Sequence, residues 1–110
     1  MDQLSIKEKV GVNYMLMELS GEAVVSTVTE LQEKVLGYIM DTNVVLDTEH
    51  LAQVDSSGVG VILAGHNDGE ASGTKLFVMN PSESTKRALE RTGFYDLFHV
   101  IHSVTEVSND

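Results

Sequence analysis

The sequence predicts a single α/β domain whose small mixed β-sheet combines an N-terminal hairpin with crossover helices. Short apolar or alternating segments indicate strands, and apolar residues at every third or fourth position indicate helices. Strands and helices then alternate along the chain, which favours parallel strands joined by crossovers. Because 110 residues provide one compact core, we expect residues 1–110 to form one domain.

The hairpin is predicted at the start of the chain. Residues 4–7 alternate apolar and polar side chains, and residues 12–19 are a second, more apolar strand. Gly11 lies in the turn between them. We expect residues 20–22 to end the second strand.

The first helix is predicted to begin beside Thr27. Thr27 and Glu30 have the spacing of a capping box, in which two side chains satisfy free backbone N–H groups. Residues with helical spacing then form one apolar stripe: Val28, Leu31, Val35, Leu36 and Ile39.

The middle of the chain predicts a buried strand at residues 44–46 and a second apolar segment at residues 51–54. Asp47, Glu49 and His50 lie between them. Their spacing matches no metal-ligand motif, so we expect a solvated loop and no metal site.

A polar stretch followed by an apolar run predicts the start of a second helix. Asp55, Ser56 and Ser57 can each accept a hydrogen bond from a free N–H group at a helix start. Such a start carries partial positive charge and can hold an anion such as a phosphate group. The alternative interpretation is that these residues only cap the helix.

The second half of this helix contains glycine, asparagine and aspartate, which disfavour helix: Gly65, Asn67, Asp68 and Gly69. We therefore expect the helix to be short or frayed at its far end.

The remaining elements are a strand at residues 75–79, a helix opened by residues 80–82, and a last strand at residues 100–101. Gly93 is predicted as the C′ residue of that helix. The three aromatic rings of residues 94–98 are expected to pack near one spot.

Composition excludes several classes of function. Seventeen acidic residues against seven basic ones give a net charge of −10, which would repel nucleic acid and anionic lipid and would suit a basic partner. The chain has no cysteine, and no run approaches the ~20 apolar residues of a membrane span. We expect a cytoplasmic protein without a cofactor.

Residues 54–63, VDSSGVGVIL, closely resemble the signature of bacterial anti-sigma-factor antagonists, which are STAS domains. Supporting blocks occur at residues 21–22, at residues 44–47 and at residues 86–94. The fold of that family is the mixed α/β sheet predicted above.

The resemblance implies a partner switch controlled by phosphorylation. In this family the unmodified antagonist binds an anti-sigma factor that is also a serine kinase, which frees the sigma factor for transcription. The kinase phosphorylates the serine directly after the aspartate, here Ser56, and a serine phosphatase resets the cycle. The contact surface of the family corresponds to Asp55, Ser56, Ser57, Gly58, Val59 and Gly60.

Three points stay open at this stage. Physical reasoning alone does not separate Ser56 from Ser57, so Ser57 remains the second candidate. Gly58 and Gly60 are explained equally by close approach of a partner and by close packing of helix on sheet. Many members of the family carry an aspartate where this chain has Val24, so we expect Ala23, Val24 and Val25 to offer an apolar partner contact instead.

Other classes of function are weighed against the switch. We expect no enzyme, because Ser56 lacks an obvious base and no triad spacing involves the four histidines, His50, His66, His99 and His102. A STAS subunit of a lipid or anion transporter would bind an ATPase instead of a kinase. A scaffold STAS module would bind without phosphorylation.

Overall fold

The computed structural model describes residues 2–107. Helices and strands follow one another in the predicted order, which is thereby confirmed. They are β1 (Leu4–Val10), β2 (Tyr14–Ala23), α1 (Val28–Tyr38), β3 (Asn43–Val54), α2 (Ser56–Ser72), β4 (Leu76–Met79), α3 (Glu83–Glu90) and β5 (His99–Ile101). Single 3₁₀ turns at Tyr95–Leu97 and Val104–Glu106 flank β5.

The five strands form one mixed sheet in the order β1-β2-β3-β4-β5. β1 and β2 are antiparallel, as in a hairpin, and the other neighbouring pairs are parallel. The predicted α/β fold with an N-terminal hairpin and crossover helices is therefore confirmed. Within residues 2–107, no helix has the length and apolar character that crossing a membrane requires.

The two faces of the sheet are covered differently. On one face Val44 and Leu46 belong to the main core, together with Val35 of α1 and Ile62 of α2. On the other face Val45 belongs to a smaller cluster, which is covered by the C-terminal segment that contains Val104 and Val107. Successive residues of β3 thus reach opposite faces, as strand geometry requires.

β3 is one continuous strand, so the loop predicted between residues 46 and 51 is wrong. Asp47 pairs with Glu18 and His50 pairs with Ser20 of β2. β4 pairs with β3 only as far as Asp47, so the second half of β3 has a neighbour on one side. Glu49 and His50 are exposed there, so their polar side chains stay in solvent although the backbone forms a strand.

β2 also continues beyond its predicted end. Its last residue is Ala23, which pairs with Val54. Gly21 has φ +99°, and a Cβ there would lie 2.2 Å from the carbonyl oxygen of Gln3. Gly21 therefore allows a local irregularity within the strand rather than ending it.

The capping box predicted for α1 is absent, because the Thr27 hydroxyl has other partners. It donates to the carbonyl of Glu22 at 2.6 Å and accepts from the backbone N–H of Val24 at 3.0 Å. Thr27 makes no side-chain cap bond to α1. The hydroxyl instead fixes the connection between β2 and α1.

α2 runs for 17 residues to Ser72, so the prediction of a short or frayed helix is wrong. Gly65 and Gly69 are buried, and a Cβ on Gly65 would lie 2.8 Å from Cγ1 of Val35. The glycines let α2 lie close to its neighbours, and this packing outweighs their low helix propensity. Gly73, with φ +80°, ends the helix.

α3 begins as predicted, because the Ser82 hydroxyl accepts from the N–H of Thr85 at 3.1 Å. Its end differs slightly from the prediction. Arg91 is the C-cap residue, so Gly93, which has φ +78°, lies one residue beyond the C′ position. Gly93 therefore lies in the turn that follows the helix and is not the C′ residue of the helix.

The three aromatic rings after α3 are not packed at one spot, contrary to the prediction. Phe94 is 58% exposed, whereas Phe98 is buried. Tyr95 packs against the main core as a partly buried residue. The ring of Phe98 meets the ring of His66 edge to face, with centroids 5.7 Å apart. The 3₁₀ turn between Phe94 and Phe98 separates their environments.

Candidate functional site

The residues predicted to carry function lie where β3 ends and α2 begins. Val54 is the last residue of β3 and Ser56 the first of α2, with Asp55 between them. Because Ala23 pairs with Val54, the segment that leaves β2 runs beside this junction. Carboxyl ends of parallel strands are the usual place for sites in open α/β sheets.

Asp55 holds the junction together through three backbone N–H groups. Oδ1 accepts from Ser57 at 2.8 Å and from Gly58 at 3.1 Å, which caps α2. Oδ2 accepts from Val25 at 3.0 Å. One carboxylate therefore caps the helix and fixes the neighbouring connection between β2 and α1.

These contacts also set the charge of Asp55. Partial burial disfavours the charged carboxylate and by itself raises its pKa. The hydrogen bonds from the N–H groups of Gly58, Val25 and Ser57 outweigh that effect, and the pKa of Asp55 is lowered from its ordinary value. Asp55 is a carboxylate at neutral pH.

Ser56 presents its side chain to solvent. It is the first residue of α2 and is exposed, whereas Ser57 is half-buried. In the described part of the chain no hydrogen bond of the Ser56 hydroxyl is found. The structure thus separates two serines that physical reasoning from the sequence left equivalent.

The two glycines of the motif differ in what surrounds them. Gly58 is buried, and a Cβ there would lie 2.4 Å from the carbonyl oxygen of Ala23. Gly60 is exposed, and a Cβ there would meet nothing within 4 Å. Gly58 therefore serves close packing of helix on sheet, while Gly60 leaves open surface beside the helix start.

The apolar contact expected at residues 23–25 is corrected at Ala23 and Val24, which are buried, and remains open at Val25. Val24 is only 5% exposed, so its side chain belongs to the interior. Its neighbour Val25 is 73% exposed and is bonded through its N–H to Asp55. The accessible apolar side chain next to the motif is therefore that of Val25.

A shallow groove of about 240 Å³ opens beside Ser56. Its lining combines the helix start with α3: Val54, Asp55, Ser56, Val59, Ala88, Arg91 and Thr92. The four histidines of the chain are not part of this lining. The groove therefore has a mainly apolar lining to which Ser56 and the basic Arg91 also contribute.

The groove contains residues that sequence reasoning did not select. Ala88 and Arg91 come from α3 and its C-cap, more than 30 residues after the serine motif. The only sequence signal was the downstream block at residues 86–94, which carried the resemblance without a role for any residue. The parallel sheet brings α3 beside the start of α2.

Comparison with known families identifies this arrangement. The sequence profile of the STAS domain matches residues 3–107. This chain belongs to the STAS domain family. Curated relatives include the anti-sigma-B factor antagonist of Staphylococcus aureus (strain NCTC 8325 / PS 47), which is 26% identical over 99 residues, 88% of this chain and 92% of that protein.

Solved STAS structures share the fold. An anti-sigma factor antagonist from Mycobacterium paratuberculosis superposes with a TM-score of 0.80 and 17% identity, covering 94% of this chain and 89% of that one. The Bacillus cell fate determinant SpoIIAA in its phosphorylated form superposes with a TM-score of 0.74 and 23% identity, covering 93% and 95%. These likenesses concern the fold of this STAS protein.

Proposed function

We propose that this STAS protein is an anti-sigma-factor antagonist that binds an anti-sigma factor with serine kinase activity, and that phosphorylation of Ser56 releases this partner. The observation that carries the proposal is the exposed Ser56 side chain at the first position of α2. It stands beside a groove with a mainly apolar lining. The Staphylococcus relative, named as an anti-sigma-B factor antagonist, supports the class of partner.

The partner surface comprises the groove and the exposed residues around it. Val59 and Ala88 form part of the apolar lining, Gly60 offers open surface, and Val25 is exposed on the far side of Asp55. A net charge of −10 favours a partner that presents lysine and arginine, and it speeds encounter through electrostatic attraction.

A phosphate on Ser56 is compatible with the fold. The dipole of α2 favours an anion at the start of the helix, where Asp55 already accepts from the N–H groups of Ser57 and Gly58. Arg91 lines the same groove and offers a guanidinium to the phosphate oxygens. The modification adds roughly −1.5 to −2 charges and three acceptor oxygens, and the protein need not refold to accept them.

A partner seated in the groove is not compatible with that phosphate. The added group occupies the groove entrance, and a partner side chain packed on Val59 would have to strip water from a doubly charged anion. A loss of only ~1.4 kcal/mol in binding free energy already weakens affinity tenfold. The switch therefore acts at the surface, and a serine phosphatase would restore the binding state in the cytoplasm.

Phosphorylation by the cognate kinase and ATP tests the proposal, with mass spectrometry to locate the modified residue. We expect one phosphate on Ser56, no label on Ser56→Ala, and full labelling of the matched control Ser57→Ala. Label on Ser57, or none with a kinase that binds the protein, would contradict the assignment. Recovery of a transporter ATPase as the bound partner would instead support a transporter subunit.

A further inference from the structure

A second cluster of polar side chains lies at the other end of α2. His66 and Glu70 are one turn apart on this helix, and His99 is the first residue of β5. Nε2 of His99 lies 3.5 Å from Oε1 of Glu70, and Nε2 of His66 lies 3.8 Å from the same oxygen. One ligand atom from each residue falls within 4.8 Å of the other two.

The two imidazoles lie partly in the interior, and the side chain of His99 is 35% exposed. His66 is only 5% exposed. His99 has its Nε2 atom buried, and that atom has no hydrogen-bond partner among the described residues. Buried nitrogen atoms of this kind are normally satisfied. Nε2 of His99 lies near the Glu70 carboxylate without a hydrogen bond to it. A bound ligand that accepts an electron pair from this nitrogen would account for the arrangement.

The spacing of these atoms suits a metal ion. Zn²⁺ binds imidazole nitrogen and carboxylate oxygen at about 2.0–2.2 Å, so tetrahedral ligand atoms are separated by roughly 3.4 Å. The two separations from Glu70 Oε1 are close to that value. The His66 and His99 rings have centroids 5.5 Å apart and are tilted by 41°, so neither ring stacks flat against the other.

We propose that His66, Glu70 and His99 bind a divalent first-row transition metal ion, with Zn²⁺ as the expected ion. Two imidazoles and a carboxylate are an established donor set for Zn²⁺. The side chain of Glu70 is 59% exposed, which gives the ion a route from solvent. A water molecule would complete the fourth position.

The metal would join the packed second half of α2 to a short strand. β5 is a three-residue strand at the sheet edge that pairs with β4 alone. An ion held by both would stabilise the folded state, because the unfolded chain does not keep the three ligands together. Glu70 is 14 residues from Ser56, about 21 Å along the helix, so this site is independent of the proposed switch.

Titration with Zn²⁺ tests the site, using full-length protein purified without a polyhistidine tag. Isothermal titration calorimetry should show one equivalent bound, and Zn²⁺ should raise the melting temperature. Glu70→Gln, at an exposed position that should not disturb folding, should weaken binding about tenfold or more, and His99→Gln should do the same. Both variants should lose most of the Zn²⁺-dependent rise in melting temperature.

Glu49→Gln is the matched control. Glu49 Oε1 lies 3.8 Å from His50 Nε2, but both side chains are mostly exposed and no third ligand joins them among the described residues. This variant should bind Zn²⁺ as the wild type does. Equal affinity of wild type and Glu70→Gln, a loss caused by Glu49→Gln, or no uptake by the wild type would overturn the proposal. Those results would leave a histidine–glutamate contact that packs without a metal.

Discussion

The two ends of helix α2 differ in what surrounds them. At the first end Ser56 is exposed to solvent, and the Asp55 side chain caps the helix beside it. In the second half Gly65 and His66 are buried against α1, the sheet and Phe98. The first end thus combines an exposed side chain with the hydrogen bonds of Asp55 and the close packing of Gly58, whereas residues 65 and 66 of the second half are buried.

This difference would let one helix carry the proposed switch at one end and support the fold at the other. A charge added at Ser56 meets solvent and the favourable end of the helix dipole, so the fold tolerates it. Added volume at a buried position of the second half must displace packed side chains, which costs stability. Substitutions at matched positions test this contrast.

Gly58→Ala should give the largest loss of stability. The new Cβ would lie 2.4 Å from the carbonyl oxygen of Ala23, and a backbone atom within a sheet cannot move aside easily. We expect a loss of about 3 kcal/mol in the free energy of unfolding. Gly60→Ala, two residues later in open space, should stabilise the protein by roughly 0.5–1 kcal/mol. Equal effects in urea unfolding would refute the packing role of Gly58.

Asp55→Ala should cost about 2 kcal/mol in the free energy of unfolding, because an N-cap is lost together with the bond to the N–H of Val25. Asp55→Asn should cost less, since its carbonyl oxygen still accepts from Ser57 and Gly58. Chemical denaturation of both variants measures the difference. If alanine and asparagine were equivalent, the helix start would not depend on this cap.

Gly65→Ala should cost about 1 kcal/mol, a smaller loss than Gly58→Ala. The new Cβ would lie 2.8 Å from Cγ1 of Val35 and 3.3 Å from Cδ2 of Leu76, which are side-chain atoms that can shift slightly. The gain in helix propensity offsets part of the clash. An increase in melting temperature would show that the second half of α2 is less tightly packed than described.

The pH dependence of stability should reveal the ionised state of Asp55. Because its pKa is lowered in the folded protein, the carboxylate stabilises the fold above the unfolded-state pKa of about 3.9. That contribution should disappear as pH falls through the lowered folded-state pKa. Thermal melts of wild type and Asp55→Asn should converge in this acid range, and a constant gap would contradict the assigned charge.

The sequence correctly predicted the cap at the first end of α2, but it did not predict the length of the helix. The cap at Asp55 is a local pattern, in which a side chain bonds to N–H groups two and three residues away. The length of α2 depends instead on Val35 and Leu76, which lie against Gly65 and are distant in the chain. Helix propensity alone therefore predicted fraying.

The same limit explains the other wrong predictions. The polar half of β3 is a strand because β2, about 30 residues earlier, provides its hydrogen bonds. His66 and His99 meet only because β5 lies at the edge of the sheet near α2, and 33 positions separate them in the chain. By contrast, the order of strands and helices followed from local periodicity and was predicted correctly.

The affinity of the proposed anti-sigma kinase partner for Ser56→Asp and for Asn67→Asp decides whether the start of α2 is the partner-binding surface. Both variants add one negative charge to an exposed residue of α2, at positions about 16 Å apart along the helix. We predict that Ser56→Asp weakens binding at least about tenfold, that Asn67→Asp stays within about twofold, and that neither shifts the melting temperature substantially. Wild-type affinity for Ser56→Asp, or its unfolding at a much lower temperature, would show that Ser56 is not a surface switch.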